Sequence, residues 1–426
     1  MKVDSLHLVH FRSSRDLTLD LEQDVTVLVG MNGAGKSSIL DALAISLSWA
    51  AARVRSPNSQ GRKILDTDIH NEKTFSWLEL ACREGNDKVT WRLVQARKGR
   101  NPDRDLSGMT SLVRLNAWAS DVRDQTGRTG ESANLPAFVY YPVNRAVLDI
   151  PLRIRKTHAF SQLEAYDDAF TVGANFRDFF EWYRNREDLE NEGLRESGRL
   201  TEDSQLRAVR QAITGFLPGF SRISVKRNPL RMEVTKGEEK LRIEQMSDGE
   251  KCLFAMVGDL ARRLAIANPE RENPLAGSGI VLIDEIDLHL HPEWQRQVVS
   301  MLARVFPNCQ FVLSTHSPQV VGEVEARCIR RLVVNRLDGL VATPPPQALG
   351  LDSAEILDEL MEASSRNRAV TAELARIFRL IDEDDFSGAQ DAIQELRDRL
   401  NGSIPELVRA EALLAMMRFT EGEEGE

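Results

Sequence analysis

The chain is short of the features that mark several function classes. It holds four cysteines in 426 residues, Cys82, Cys252, Cys309 and Cys328, with none of the close spacing of metal ligands or of a disulfide framework. Reduced, buried thiols are therefore expected, and zinc-finger or cysteine-stapled classes are excluded. No apolar run approaches the ~20 residues of a membrane helix, so no membrane partner is expected. The opening MKVDSLHLVHF has no apolar core of a secretion signal, and the expected compartment is the cytoplasm. Sustained a/d heptads and C-x-x-C are missing, which excludes a long coiled-coil arm with a zinc hook. No H-N-H constellation occurs. The acidic run Asp382-Glu383-Asp384-Asp385 has no strand-borne glutamate to make a TOPRIM-type site. Any nucleic-acid cleavage would have to come from another protein.

Charge is unevenly spread. The net charge is −10, and from Leu351 onward there are 19 acidic against 8 basic residues. The body is thus about neutral and the acidic excess lies in the tail. An acidic balance argues against nucleic-acid binding. The local basic runs Arg97-Lys98-Gly99-Arg100 and Lys226-Arg227 to Arg231 keep DNA contact open, although solvated loops are the commoner origin of such runs.

What is present begins with Gly30-Met31-Asn32-Gly33-Ala34-Gly35-Lys36-Ser37, a G-x-x-x-x-G-K-[ST] phosphate-binding loop. It follows VTVLV, which reads as a buried strand, and precedes SILDAL, which reads as a helix; the motif requires that context. Asn32, Gly33, Ala34, Gly35, Lys36, Ser37 and Ser38 are the expected nucleotide-binding residues. Glycines let backbone N–H groups curl around phosphate, and the helix N-terminus adds partial positive charge. Lys36 would reach the β- and γ-phosphates, and the Ser37 hydroxyl would hold Mg²⁺. ATP with Mg²⁺ is the expected cofactor.

Three further motifs follow. Ile280 to Ile283 is an apolar strand running into Asp284-Glu285. Asp284 suits the metal, and Glu285 is placed to act as general base. Gln310 to Ser317 repeats the pattern with His316 at the tip, placed to donate to a γ-phosphate. Met246-Ser247-Asp248-Gly249-Glu250-Lys251 opens a helical stretch with Ser247 as N-cap. Taken alone, the last is an ordinary helix start and His316 an ordinary loop residue; order and spacing favour the functional reading.

In this order the four motifs resemble the ABC-type ATPase superfamily, in the branch of RecF, SMC and DNA-repair ATPases. The resemblance implies ATP sandwiched between two protomers. Ser247 and Gly249 would touch the γ-phosphate in trans, Glu285 would be the catalytic base, Asp284 the magnesium acid and His316 the switch histidine. Asp287-Leu288-His289 would be the D-loop, a reading preferred to a metal pair at His289 and His291. Arg12, in the opening His10-Phe11-Arg12-Ser13, would lie close to the nucleotide. The signature reads M-S-D-G-E rather than L-S-G-G-Q, which makes the match to transporter ATPases poor. A glutamine loop is not identifiable; Asn144 or Arg145, after the AFVY strand, are the nearest candidates.

A closer resemblance runs through YYPVNRAVLDIPLRIRKTHAF, GANFRDFFEWYRNREDLEN, LIDEIDLHLHPEWQR, STHSPQVV and GLDSAEILDELM. These are similar to the PtuA-type ATPases of bacterial antiphage defence, in Septu and Septu-like retron systems. That likeness implies a homo-oligomer, a dimer or higher, carrying an HNH nuclease subunit of PtuB type. A RecF-like repair or replication ATPase that binds DNA directly is the alternative.

The fold expected is α/β. It is an ABC-type ATPase head with a P-loop, a mixed central sheet, flanking antiparallel strands and a helical insert, plus a small C-terminal helical module. The ATPase domain is placed at residues 1–343, with a globular insert at about 97–216. Pro344-Pro345-Pro346 marks a break, and 347–426 read as three or four amphipathic helices, either a packing cap or a docking surface. The aromatics Phe176, Phe179, Phe180, Trp182 and Tyr183 read as core.

Overall fold

Alternation of apolar and polar residues in the opening segment makes a half-buried strand, and strict apolar runs later make strands buried on both faces. The computed structural model describes residues 1–97, 110–128, 134–143, 161–171, 173–198, 202–335, 339–364 and 366–423. These fall into two compact units, Met1–Asp352 and Ser353–Glu426; residues 344–346 lie inside the first.

The first unit opens with β1 (Lys2–Phe11) and β2 (Ser14–Asp20), joined by a tight turn, then β3 (Val25–Val29), every residue of which is buried. The phosphate loop leads into α1 (Lys36–Arg55), capped by Gly35 in the left-handed region at φ 97°. A hairpin of β4 (Phe75–Glu84) and β5 (Asp87–Ala96) turns at Gly85. After α2 (Val113–Arg128) comes the buried β6 (Ala137–Tyr141). The helices α3 (Phe176–Ser197) and α4 (Ser204–Phe216) start at Asn175 and Asp203, whose side chains accept backbone N–H groups of the first turn. A meander of β7 (Phe220–Arg227), β8 (Leu230–Lys236) and β9 (Glu239–Arg242) feeds α5 (Asp248–Ala267). The run KLRIEQ reads as one strand, but β9 stops at Arg242. Residues 243–245 turn as a 3-10 helix instead, because the Gln245 side chain accepts the Arg242 N–H at 2.8 Å. Then follow β10 (Gly279–Ile283), α6 (Pro292–Val305), β11 (Cys309–Ser314), the single turn α7 (Pro318–Val321), β12 (Ile329–Asn335) and β13 (Gly339–Thr343).

The strands make a six-stranded sheet in the order β13-β12-β3-β11-β10-β6, a four-stranded antiparallel sheet β2-β1-β4-β5, and the meander β7-β8-β9. In the six-stranded sheet all pairs are parallel except β12 with β13. This is a mixed central sheet with flanking antiparallel strands, as the resemblance implies. Its parallel order brings the C-terminal ends of β3, β11, β10 and β6 to one edge, where ligands bind in open α/β sheets. The aromatic stripe of α3 is core. Phe176, Phe179, Phe180, Trp182 and Tyr183 are all buried, and the Phe179 ring meets Phe254 of α5 edge-on at 6.0 Å. Gly258 makes room there, since a Cβ on it would lie 3.0 Å from the Phe179 ring.

The second unit has α8 (Ser353–Glu355) continuing as a π turn over Ile356–Leu360, then α9 (Arg368–Asp382), α10 (Phe386–Leu400) and α11 (Pro405–Glu423). Leu374, Ile377, Ile381, Ile393, Leu396 and Leu407 form its own apolar core. All four cysteines are buried free thiols. Among the described residues no helix is long and apolar enough to cross a membrane.

Candidate functional site

The phosphate loop is shaped by glycine where nothing else fits. A Cβ on Gly30 would lie 2.7 Å from the Leu332 carbonyl oxygen. Gly33 and Gly35 take φ values of 80° and 97°, where L side chains are strained. Asn32, Gly33 and Ser37 are exposed, Ala34 is buried and Ser38 is half-buried. Lys36 is buried at the loop's base, and its ammonium donates to the Gly30 carbonyl at 2.7 Å and the Met31 carbonyl at 3.1 Å. Burial lowers its pKa, against the opposing pull of Asp284, Glu285 and Asp287. A buried cation held by its own loop carbonyls, over the open end of a 20-residue helix, fits a polyphosphate that would take those contacts over.

Across the edge, β10 delivers the acidic pair. The Asp284 backbone N–H donates to the Tyr141 carbonyl at 2.9 Å, extending the β10–β6 ladder by one residue. Its carboxylate is nearly sealed, the residue being 2 % exposed. The Ser314 hydroxyl, at the end of β11, donates to Asp284 and accepts the Glu285 N–H at 2.8 Å. Glu285 sits at φ 49°. A non-glycine residue there costs on the order of 1–3 kcal/mol and persists only when the surroundings fix it; Ser314 supplies that fixation. Asp287 accepts from the Thr315 hydroxyl at 2.5 Å and from the His316 backbone N–H at 3.3 Å. The His316 imidazole has its pKa lowered by burial first and by Lys36 second. Lys36, Asp284, Glu285, Asp287 and His316 therefore share one electrostatic site.

Ser247 and Gly249 stand at the start of α5. Ser247 and Glu250 form a reciprocal capping box. Gly249 lies against the turn at His289: a Cβ on it would be 2.5 Å from the His289 carbonyl oxygen. Arg12, at φ 49° in the β1–β2 turn, is tied to α1 by Asp41 and to Asp68 at 3.0 Å; Arg62 reaches the same Asp41 at 2.6 Å. Those carboxylates raise the Arg12 pKa although burial works against its charge. His291 caps α6, its Nδ1 accepting the Glu293 N–H at 3.4 Å. Among the described residues no group of three or more His, Cys, Asp or Glu could hold a metal ion. Ser37 with Asp284 fits Mg²⁺ all the same, because that ion usually keeps several waters beside one or two carboxylates and phosphate oxygens. Asn144 and Arg145 lie outside the described residues.

Sequence reasoning missed Ser314, which organises the acidic pair, and the Arg12–Asp41–Arg62–Asp68 cluster. The signal for Ser314 was a serine closing an apolar run, CQFVLS. The cluster joins four distant positions and leaves no local pattern.

Two family models match the chain. One, described as "AAA domain", covers residues 5–218. The other, described as "AAA domain, putative AbiEii toxin, Type IV TA system", covers residues 119–322. The "Retron Vc95 probable ATPase" of Vibrio cholerae serotype O1 biovar El Tor is 30 % identical over 396 residues, spanning 80 % of this chain and 75 % of its own. The "Retron Ec83 probable ATPase" of Escherichia coli is 28 % identical over 427 residues, spanning 86 % of this chain and 77 % of its own. The "Septu protein PtuA" of Bacillus mycoides strain KBAB4 is 25 % identical, covering 74 % of this chain and 38 % of its own. The chain is an ATPase and belongs to the AAA-domain family of the retron ATPases.

Proposed function

We propose that this chain is the ATP-hydrolysing sensor and regulatory subunit of an antiphage defence complex. Two copies close on sandwiched ATP, and that closure gates an associated HNH nuclease. The gathering of Lys36, Asp284, Glu285, Asp287 and His316 at one sheet edge supports the hydrolytic part. The likeness to retron ATPases and to the Septu protein PtuA supports the defence part.

Within this reading each residue takes a role. Residues 32–38 wrap the phosphates, with Lys36 exchanging its loop carbonyls for phosphate oxygens. Ser37 and Asp284 would hold Mg²⁺, which would supply charge neutralisation to the phosphates. Glu285, aimed by its Ser314 contact, takes a proton from the attacking water. His316 donates to a γ-phosphate oxygen. Ser247 and Gly249 of a second copy complete the site, and Arg12 lies beside the nucleotide. The homo-oligomer holds the nuclease subunit, and nucleic acid enters as that subunit's target.

Glu285→Gln tests the core of this. It is expected to keep ATP binding, to lose about 10²- to 10⁴-fold in hydrolysis rate, and to trap an ATP-dependent closed oligomer in size-exclusion chromatography. Hydrolysis at the wild-type rate would remove Glu285 as the base. Co-purification with the product of a neighbouring HNH-type gene tests the partner; a neighbour of another class would move the ATPase to a different effector.

A further inference from the structure

A serine hydroxyl has one proton to give, and in this structure Ser247 gives it to Glu250. The Ser247 Oγ and backbone N both lie 2.9 Å from Glu250 Oε2. The other carboxylate oxygen, Oε1, accepts from the Lys236 ammonium at 2.5 Å. Burial pushes the Glu250 pKa up, but hydrogen bonds from Lys236 and Ser247 outweigh it, and the group stays ionised below its ordinary range. An ionised carboxylate only accepts, so the Ser247 O–H points at Glu250 and away from any phosphate. Lys236 closes β8, and Glu250 is the third residue of α5. The capping box therefore ties the β7–β9 meander to the signature.

We propose that Glu250 is a positioning residue which sets how readily Ser247 donates to a nucleotide held by a second copy of this chain, and that Lys236 tunes it. This rests on the reading that Ser247 acts in trans. The carboxylate competes with the phosphate for one proton. Lys236 neutralises part of the carboxylate's charge and weakens its hold on that proton. A glutamine at 250 would still offer one oxygen to the Ser247 N–H and O–H, but without the carboxylate's charge it would hold the hydroxyl proton less tightly.

The test is ATP-driven self-association, followed by analytical ultracentrifugation in the Glu285→Gln background with ATP as the probe. Adding Glu250→Gln is expected to lower the ATP concentration for half-association roughly tenfold, the worth of about one charge-assisted hydrogen bond. Lys236→Met is expected to raise it several-fold, and to do nothing once residue 250 is glutamine. A Glu250→Gln protein that associates no better than its parent overturns the proposal. So does a Lys236→Met effect of equal size with either residue at 250. Lys236 lies at the surface end of the pair, so if Glu250→Gln does not fold, an unchanged ATP requirement in Lys236→Met alone overturns it. Ser247→Ala separates the two levels. If that variant still associates with ATP, the trans reading of Ser247 fails and this proposal with it. If it does not associate while Glu250→Gln gains nothing, the role of Glu250 alone falls.

Discussion

The two large sheets of the first unit solve different problems. In the six-stranded sheet β3, β6, β10 and β11 are buried at every residue, and the acidic pair and His316 follow the ends of β10 and β11. In the four-stranded sheet β1 and β4 alternate. The sheet's outer face carries His7 of β1, Trp77 and Glu79 of β4 and Arg92 of β5, with the His7 and Trp77 rings 4.5 Å apart and the Arg92 guanidinium 4.5 Å above Trp77. Similar residue types thus have opposite leverage. A charge behind the parallel sheet is committed to named partners; a charge on the antiparallel face has water as an alternative.

The largest effect expected from that difference is in stability. Asp259 of α5 is wholly buried, accepts from Tyr141 of β6 at 3.0 Å, and pairs with Arg262 and Arg263 at 2.7 Å each. Burial pushes its pKa up, and the two arginines outweigh that and hold it low. Asp259→Ala would strand two buried guanidinium groups and should cost about 3–5 kcal/mol. Asp16 pairs with His7 at 2.7 Å on the exposed face. Asp16→Ala should stay within about 1 kcal/mol, because water screens that pair. Urea denaturation midpoints of the nucleotide-free proteins decide it, and equal losses would break the comparison.

The next effect is in rate. Ser314→Ala removes the bridge between the Asp284 carboxylate and the Glu285 N–H. A hydrogen bond to a charged group is worth about 1.5–3 kcal/mol, so kcat should fall roughly tenfold to a hundredfold. KM for ATP should move only a few-fold, since the phosphate loop is untouched. Steady-state kinetics that show KM rising with kcat intact would place Ser314 in binding instead.

The same contrast explains what was legible in the sequence. Parallel strands read as apolar runs that stop at Gly30, Asp284 and Ser314, so the sheet and its loaded edge could be named from residue order alone. Antiparallel strands read by alternation. The turn between β1 and β2 could be placed, yet its consequence, Arg12 bound to Asp41 and Asp68, could not, because ion pairing across 29 and 56 residues follows from packing. Gly249 shows the limit from the other side. Its smallness was legible, but the His289 carbonyl that requires it is a tertiary neighbour.

The smallest effect is in pH dependence, and it tests whether the loaded edge behaves as one field. Burial lowers the His316 pKa, Lys36 lowers it further, and Asp287, Glu285 and Asp284 pull the other way without winning. The imidazole is then neutral at pH 7, with one N–H to donate. Its titration is displaced below the ordinary histidine value of about 6.5. In kcat/KM, which reports the free enzyme, any acid limb from His316 should lie below about 6.5. The sign for stability is the same. The unfolded chain binds this proton more readily, so the contribution is present above about 6.5 and is lost as pH falls toward the folded pKa. Profiles of kcat/KM from about pH 5 to 8, for wild type and His316→Gln, check this. A limb above the ordinary value that vanishes in the variant would mean that the three carboxylates outweigh Lys36 and burial.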